Sequence, residues 1–316
     1  MKTIAIIITR GSLAFSLLEN DFYKILREKY RIIILTPAWE DKRFVESFQH
    51  KNVEILPFVE KKRTTFERML TYLHNNLIYN STTDHRARWG VIGDPNSPRP
   101  SLISYLFVKS VFTVLSKIKF LRELTRFIDW HFTQKEEVSD FVTWLKESQP
   151  DCVISTFVGG DSEMAMLKAA KRLKIPTIGY WKTWDNLSMY GLRTKPDMTV
   201  VWNEFSREQV LRFQNMKDEN IHIIGVPQFD SNFDERLFMS REEFCQLYGL
   251  DPIKKIILHC SSGKLFPTDV TIAELLASYI RENKFPFPSQ LLVRPHYGYV
   301  NDDEKFETVK GKPGVK

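Results

Sequence analysis

Short runs of β-branched residues alternate with amphipathic stretches along much of the chain. Residues 3–9 (TIAIIIT) are apolar at nearly every position, as a strand covered on both faces of a parallel sheet requires. Residues 17–28 follow with Leu18, Phe22, Ile25 and Leu26 at helical spacing. A second strand is predicted over 31–36 (RIIILT), closed by Pro37, then a short helix over 41–49 and a third strand over 52–57 (NVEILP). Strand, helix and strand this closely spaced predict βαβ units and a parallel sheet.

The rhythm breaks over 63–145. Long helical patterns cover 64–79 and 101–132, with a polar loop holding His85, Arg86 and Arg88 and a Pro-rich stretch, 94–100, between them; 138–147 reads as a further helix. The alternation resumes with strands at 151–155, 177–180, 198–202 and 221–225 and helices at 162–173 and 204–215. Pro227 and many polar residues in 226–242 predict a domain boundary, giving a first domain over 1–235 with a helical insertion at 63–147 and a second over 236–316. The second holds strands at 255–260 and 290–294 and a helix at 270–282. Two strands do not make a stable doubly wound sheet unaided. Either this half packs on the first domain or the chain is a fragment of a longer one; an incomplete, truncated second domain is the expectation.

The 316 residues are 43% hydrophobic and 27% charged, which excludes disorder as the overall state. A net charge of +6 suits anionic ligands or an anionic membrane surface but is too small to argue for nucleic acid. Cys152, Cys245 and Cys260 form no CxxC motif, which points to a reducing compartment. The opening apolar stretch, interrupted by Arg10, fits a core strand better than a signal peptide. No run reaches the roughly 18 apolar residues of a membrane span; the nearest, 102–115, is broken by Lys109.

Ligands of open parallel sheets sit beyond the carboxyl ends of the strands, so the residues there are the candidates for chemistry. After the first strand come Thr9, Arg10, Gly11 and Ser12; Gly11 permits close backbone approach, and Ser12 either caps the next helix or meets an anion. No GxGxxG or Walker sequence is present. After 151–155, Gly159 and Gly160 let backbone amides converge on a ligand, or serve a turn in which Asp161 or Ser162 caps the helix. After 177–180, Trp181, Lys182, Thr183, Trp184, Asp185 and Asn186 crowd one strand end. Trp184 suits stacking on a sugar ring, Asp185 suits a general base and Asn186 suits orienting hydroxyls; alternatively the tryptophans pack and Asp185–Asn186 makes an Asx turn. Ser261, Ser262, Gly263 and Lys264 form a small-residue loop before a helix, suited to phosphate. Arg294 and His296 close the following strand with two further phosphate donors. Zinc-type spacing and acyl-transfer motifs are absent, and His74, His131 and His222 read as packing or surface residues.

Several of these segments together resemble a family. Residues 184–186 (WDN), 195–197 (KPD) before 200–202 (VVW), 225–230 (GVPQFD), 8–14 (ITRGSLA) and 292–296 (LVRPH) are similar to segments of GT-B-type glycosyltransferase-like proteins, including relatives of CDP-glycerol glycerophosphotransferases and UDP-N-acetylglucosamine 2-epimerases. Tyr297 replaces the usual proline after the last of them. The resemblance implies an α/β fold of two Rossmann-like domains facing across a cleft, the acceptor mainly on the first and the nucleotide-linked donor mainly on the second. Such proteins hold much of the donor with loops later than the RPH segment, so the second domain is expected to be truncated. The implied activity is transfer of a sugar, or a glycerol-phosphate unit, from a nucleotide-activated donor to a cell-envelope polysaccharide or lipid-linked acceptor, with no metal or other cofactor. A nucleotide-sugar epimerase and a non-catalytic sugar-binding or scaffold protein are the alternatives. Asp185 is the first choice of base and Asp161 the second; Arg10, Gly11, Ser12, Gly159, Gly160, Trp184 and Asn186 are assigned to substrate, and Ser261–Lys264 with Arg294 and His296 to phosphate. Basic and aromatic residues interleave over 101–132 (Lys109, Lys117, Lys119, Arg122 and Arg126 among Tyr105, Phe107, Phe112, Phe120, Phe127 and Trp130), which suits either a helix on an anionic lipid surface or one packed on the sheet. A cytoplasmic protein, at the inner face of the membrane if that helix docks, is the resulting expectation.

Overall fold

The isoleucine-rich runs fold as strands because alternate side chains of each can be buried on opposite faces of one sheet. The structure is a computed structural model that describes residues 1–89, 100–181, 183–263, 268–296, 299 and 301–316, with the backbone alone at Ser12 and Phe15. The chain divides into two compact units, residues 1–85 with 101–234 and residues 86–100 with 235–316. The first opens with β1 (Thr3–Ile7), α1 (Gly11–Leu18), α2 (Asp21–Lys29), β2 (Arg31–Thr36), α3 (Lys42–Phe48) and β3 (Val53–Pro57). A helical stretch follows: α4 (Thr65–Asn76), α5 (Ser81–Trp89), α6 (Leu102–Leu115), α7 (Lys119–Phe132) and α8 (Lys135–Ser148). It leads to β4 (Cys152–Ser155), α9 (Asp161–Arg172), β5 (Thr177–Tyr180), α10 (Asn186–Met189), β6 (Met198–Val201), α11 (Glu204–Gln209) and β7 (Ile221–Ile223).

All seven strands pair in parallel, in the order β3-β2-β1-β4-β5-β6-β7. Ile4, Ile6, Ile32 and Ile34 pack on one face with Leu13, Leu17 and Tyr23 of α1 and α2. Ala5, Ile7 and Val153 pack on the other with Val138 and Phe141 of α8 and Ala165 and Ala169 of α9. The order reverses direction at the β1–β4 pair, so the crevice beyond their carboxyl ends is the topological switch point at which open α/β sheets hold ligands.

Four local expectations are corrected. The single helix expected over 101–132 is two, because the Ser116 carbonyl at the end of α6 accepts from the Arg122 guanidinium (3.0 Å) instead of continuing the ladder. The polar loop around His85 is the helix α5; Asn80 Oδ1 accepts from the amides of Thr82 (2.9 Å) and Thr83 (3.1 Å) and so starts it. Neither Asp161 nor Ser162 caps α9: Gly160 holds that position and both fall in the first turn. Ser12 likewise lies inside α1, whose N-cap is Arg10.

The second unit comprises α12 (Arg241–Tyr248), β8 (Lys255–Cys260), α13 (Asp269–Arg281) and β9 (Ser289–Arg294). β8 and β9 pair in parallel, and β9 also has backbone partners on its other side: the Leu291 amide donates to Gly314 O (2.8 Å) and the Val293 amide to Lys316 O (2.9 Å). Its core joins Leu291 to Ala273 and Ala277 of α13 and to Phe306 and Val315.

Candidate functional site

Arg10 and Gly11 follow β1 at the switch point. A cavity of about 330 Å³ opens between the carboxyl ends of β1 and β2, on the other side of β1 from β4, lined by Thr9, Arg10, Gly11, Thr36, Pro37 and Asp41. A Cβ on Gly11 would meet no neighbouring atom, so the start of α1 faces open space. The Arg10 guanidinium lies 5.9 Å from the Phe157 ring, and Phe157 in turn meets Tyr190 edge to face at 5.6 Å. The loops after β1, β4 and β5 are thereby joined by one row of side chains.

Beneath this row lies a group the sequence reading missed. Glu163, in the first turn of α9, is 1% exposed, and its Oε1 accepts a hydrogen bond from the Thr9 hydroxyl after β1. Burial pushes its carboxyl up to about 7, against the lowering effects of the Thr9 hydroxyl and the Arg10 charge. A carboxyl that titrates near neutrality beside a ligand crevice is the kind of group that proton-transfer sites use. Its sequence signal is ordinary, since acids are common in the first turn of a helix. The glycines beside it serve the chain's own packing. A Cβ on Gly160 would overlap the Glu163 carboxylate, and one on Gly159 would come within 2.8 Å of the Phe157 ring.

Asp161, two residues earlier, is held differently. Its carboxylate pairs with Arg193 and, at 3.5 Å, with Arg63. Arg193 also reaches Asp129 of α7 (3.3 Å), and Asp129 pairs with Lys168 of α9 at 2.5 Å. Arg63 pairs with Glu137 of α8 (2.7 Å), which accepts from the Ser162 hydroxyl (2.7 Å). Burial draws Lys168 down to about 8 in spite of Asp129. Two guanidiniums engage the Asp161 carboxylate, so a role as base would first require breaking both pairs.

The residues after β5 divide in function. Trp181 is buried, its indole N–H donating to the Thr199 hydroxyl (2.9 Å), so it packs. Trp184 is 59% exposed and free to stack. Asp185 is half-buried at the start of α10, and its Oδ1 accepts from the Thr183 hydroxyl at 2.5 Å. Asn186 is buried, and its Oδ1 has no hydrogen-bond partner among the described residues. Lys182 lies outside the described residues.

In the second unit, the loop after β8 and the end of β9 adjoin: the Ser261 amide donates to Arg294 O (2.9 Å). The Ser262 amide donates to Asp269 Oδ2 (2.8 Å) and the Gly263 amide to Ser261 Oγ (2.9 Å). These two amides are therefore occupied internally, which corrects the expectation of an open amide cradle; Asp269 takes the place that an anion would need. Lys305 ties the corner together through Gly263 O (2.8 Å), Asp269 (3.2 Å) and Asp302 (3.0 Å). Burial raises the Asp302 carboxyl, but the His296 amide, the Ser261 hydroxyl and the Lys305 ammonium outweigh it and hold it below the usual range. Arg294 is exposed and His296 half-buried; Lys264 lies outside the described residues. No cluster of three or more His, Cys, Asp or Glu suited to a metal ion occurs among the described residues.

No protein-family model and no curated protein matches the chain. Solved structures do. A glycosyltransferase from Rickettsia africae ESF-5 is 10% identical with a TM-score of 0.52, the match covering 100% of this chain and 67% of that one. The S. aureus MnaA–UDP co-structure is 11% identical with a TM-score of 0.50, covering 100% of this chain and 68% of that one. The likeness is one of fold. It establishes the α/β, Rossmann-like GT-B class for this chain, with a parallel sheet in the first unit.

Proposed function

We propose that the protein transfers a sugar, or a glycerol-phosphate unit, from a nucleotide-activated donor to a glycan or lipid-linked acceptor of the cell envelope. The observation that carries this reading is the row of side chains beyond the carboxyl ends of β1, β4 and β5, Arg10 on Phe157 and Phe157 on Tyr190, with the buried Glu163 bonded to Thr9 beneath it. In the proposed step an acceptor hydroxyl attacks the donor's anomeric carbon, or its glycerol-linked phosphorus. The bond to the nucleotide phosphate breaks with the electron pair on the leaving phosphate, and the hydroxyl proton passes to Asp185. Trp184 stacks on the sugar, and Glu163 acts as a positioning residue that holds the Thr9–Gly11 turn against the start of α9. Arg294 and His296 are the groups of the second unit that this reading assigns to phosphate, and it requires no metal.

The test is turnover of labelled UDP-, CDP-, GDP- and dTDP-linked compounds in the presence of a chelator, with product analysis with and without an added glycan acceptor. Acceptor-dependent product that Asp185→Asn abolishes supports the reading. Strict metal dependence contradicts it. Conversion of the donor without an acceptor favours the epimerase alternative.

A further inference from the structure

Helix α7 is amphipathic in an inverted sense. Its inward stripe is polar: Arg122, Thr125, Arg126 and Asp129 are all buried. Each is accounted for inside. Arg122 donates to Leu77 O (3.3 Å) and Asn215 Oδ1 (3.0 Å), Arg126 to Gln214 O (2.9 Å), and Thr125 meets the fully buried His74 at 2.6 Å. Its outward stripe is apolar, with Phe120 68%, Leu124 39% and Phe127 58% exposed. The neighbouring α4 repeats the pattern: Glu67 and His74 point in, while Phe66, Met69 and Tyr72 are exposed. Tyr72 meets Phe112 of α6 at 6.5 Å, and α6 exposes Ile103 (82%) and Phe107 (70%). Apolar exposure on this scale marks an interaction surface.

Charge identifies the occupant. Across α4, α6 and α7 the acids are Glu67 and Asp129, both buried, and Glu123, which pairs with Arg126 (2.6 Å) and Lys195 (2.8 Å). The exposed cations are Arg68 on α4 and Lys117 and Lys119 at the α6–α7 turn. Arg122, Arg126 and Lys109, which the sequence suggested for lipid, are engaged inside the protein or, for Lys109, with Asp84 (3.0 Å). We propose that the outward faces of α4, α6 and α7 seat on an anionic lipid leaflet, with Phe107, Phe120 and Phe127 entering the interface and Lys117 and Lys119 meeting the headgroups. Among the described residues no helix is long and apolar enough to cross a membrane, so the contact is one of surface seating. A second copy of this chain is disfavoured because like-charged rims would face each other. The inference stands whether or not the transferase reading does.

Flotation of the full chain with phosphatidylcholine vesicles, with and without phosphatidylglycerol, tests it. Binding is expected only with phosphatidylglycerol, and added salt should weaken it. Combining Phe107→Ser, Phe120→Ser and Phe127→Ser should weaken it at least about tenfold, and Lys117→Glu with Lys119→Glu by a similar factor. Hydrogen exchange on the unaltered chain, which no folding defect can confuse, should show vesicle-dependent protection in α4, α6 and α7. Absence of vesicle binding, protection confined to other elements, or a dimer in solution that the phenylalanine substitutions abolish would each overturn the proposal.

Discussion

Two buried polar clusters meet on the first turn of α9, and they treat their carboxyls oppositely. On one side Asp161 and Asp129 are ion-paired among Arg63, Arg193 and Lys168. On the other, Glu163 faces a threonine hydroxyl and the packed surface of Gly160, and its carboxyl keeps a proton up to about pH 7. Burial alone therefore does not decide what an acid does; the groups that face it do. The first cluster fixes α7 and α8 against α9, and the second sits at the crevice with a titration in the working range.

Breaking the ionic cluster should have the largest effect. Asp129→Ala leaves Lys168 and Arg193 buried without their shared partner and should cost about 3–5 kcal/mol, read from urea denaturation midpoints. Glu163 should be distinguished by pH. Its folded carboxyl titrates near 7, above its ordinary value of 4.5, so between those limits the unfolded chain loses the proton while the folded chain keeps it. Stability is then lost as pH rises through that window. Relative to Glu163→Gln, the parent should lose about 3 kcal/mol from below pH 4.5 to above pH 7. A parallel pair of stability curves would sink the assignment.

A smaller effect sharpens the same contrast. Gly160→Ala should destabilise by about 1–3 kcal/mol because its Cβ displaces the Glu163 side chain, and the loss should shrink when Glu163→Ala is added, as a double-mutant cycle would reveal. Smallest of all, Lys61→Ala removes ion pairs to the largely exposed Glu136 and Asp140 and should leave the thermal midpoint unchanged.

The strands were legible because a parallel sheet buried on both faces leaves continuous runs such as TIAII and RIIIL, and β5 and β8 fall where their runs do. Arg10, Gly160 and Asp185 were legible as residues at or just beyond strand ends. Other features were hidden for identifiable reasons. The break between α6 and α7 has no Gly or Pro to mark it; the Arg122 guanidinium, from the first turn of α7, caps the end of α6. The period of α7 shows an apolar stripe but not which way that stripe faces, since its polar side finds buried carbonyl partners only in the folded chain. The small-residue loop 261–263 advertises backbone freedom, yet whether its amides are vacant depends on Asp269 and Ser261.

The central claim is that ligand binds at the carboxyl ends of β1, β4 and β5. Mapping backbone amide shifts of the full chain during titration with nucleotide-sugars and short glycans tests it most directly. The account predicts the largest changes at residues 9–11, 157–163 and 184–186. Saturable binding that leaves all three segments unmoved would contradict it.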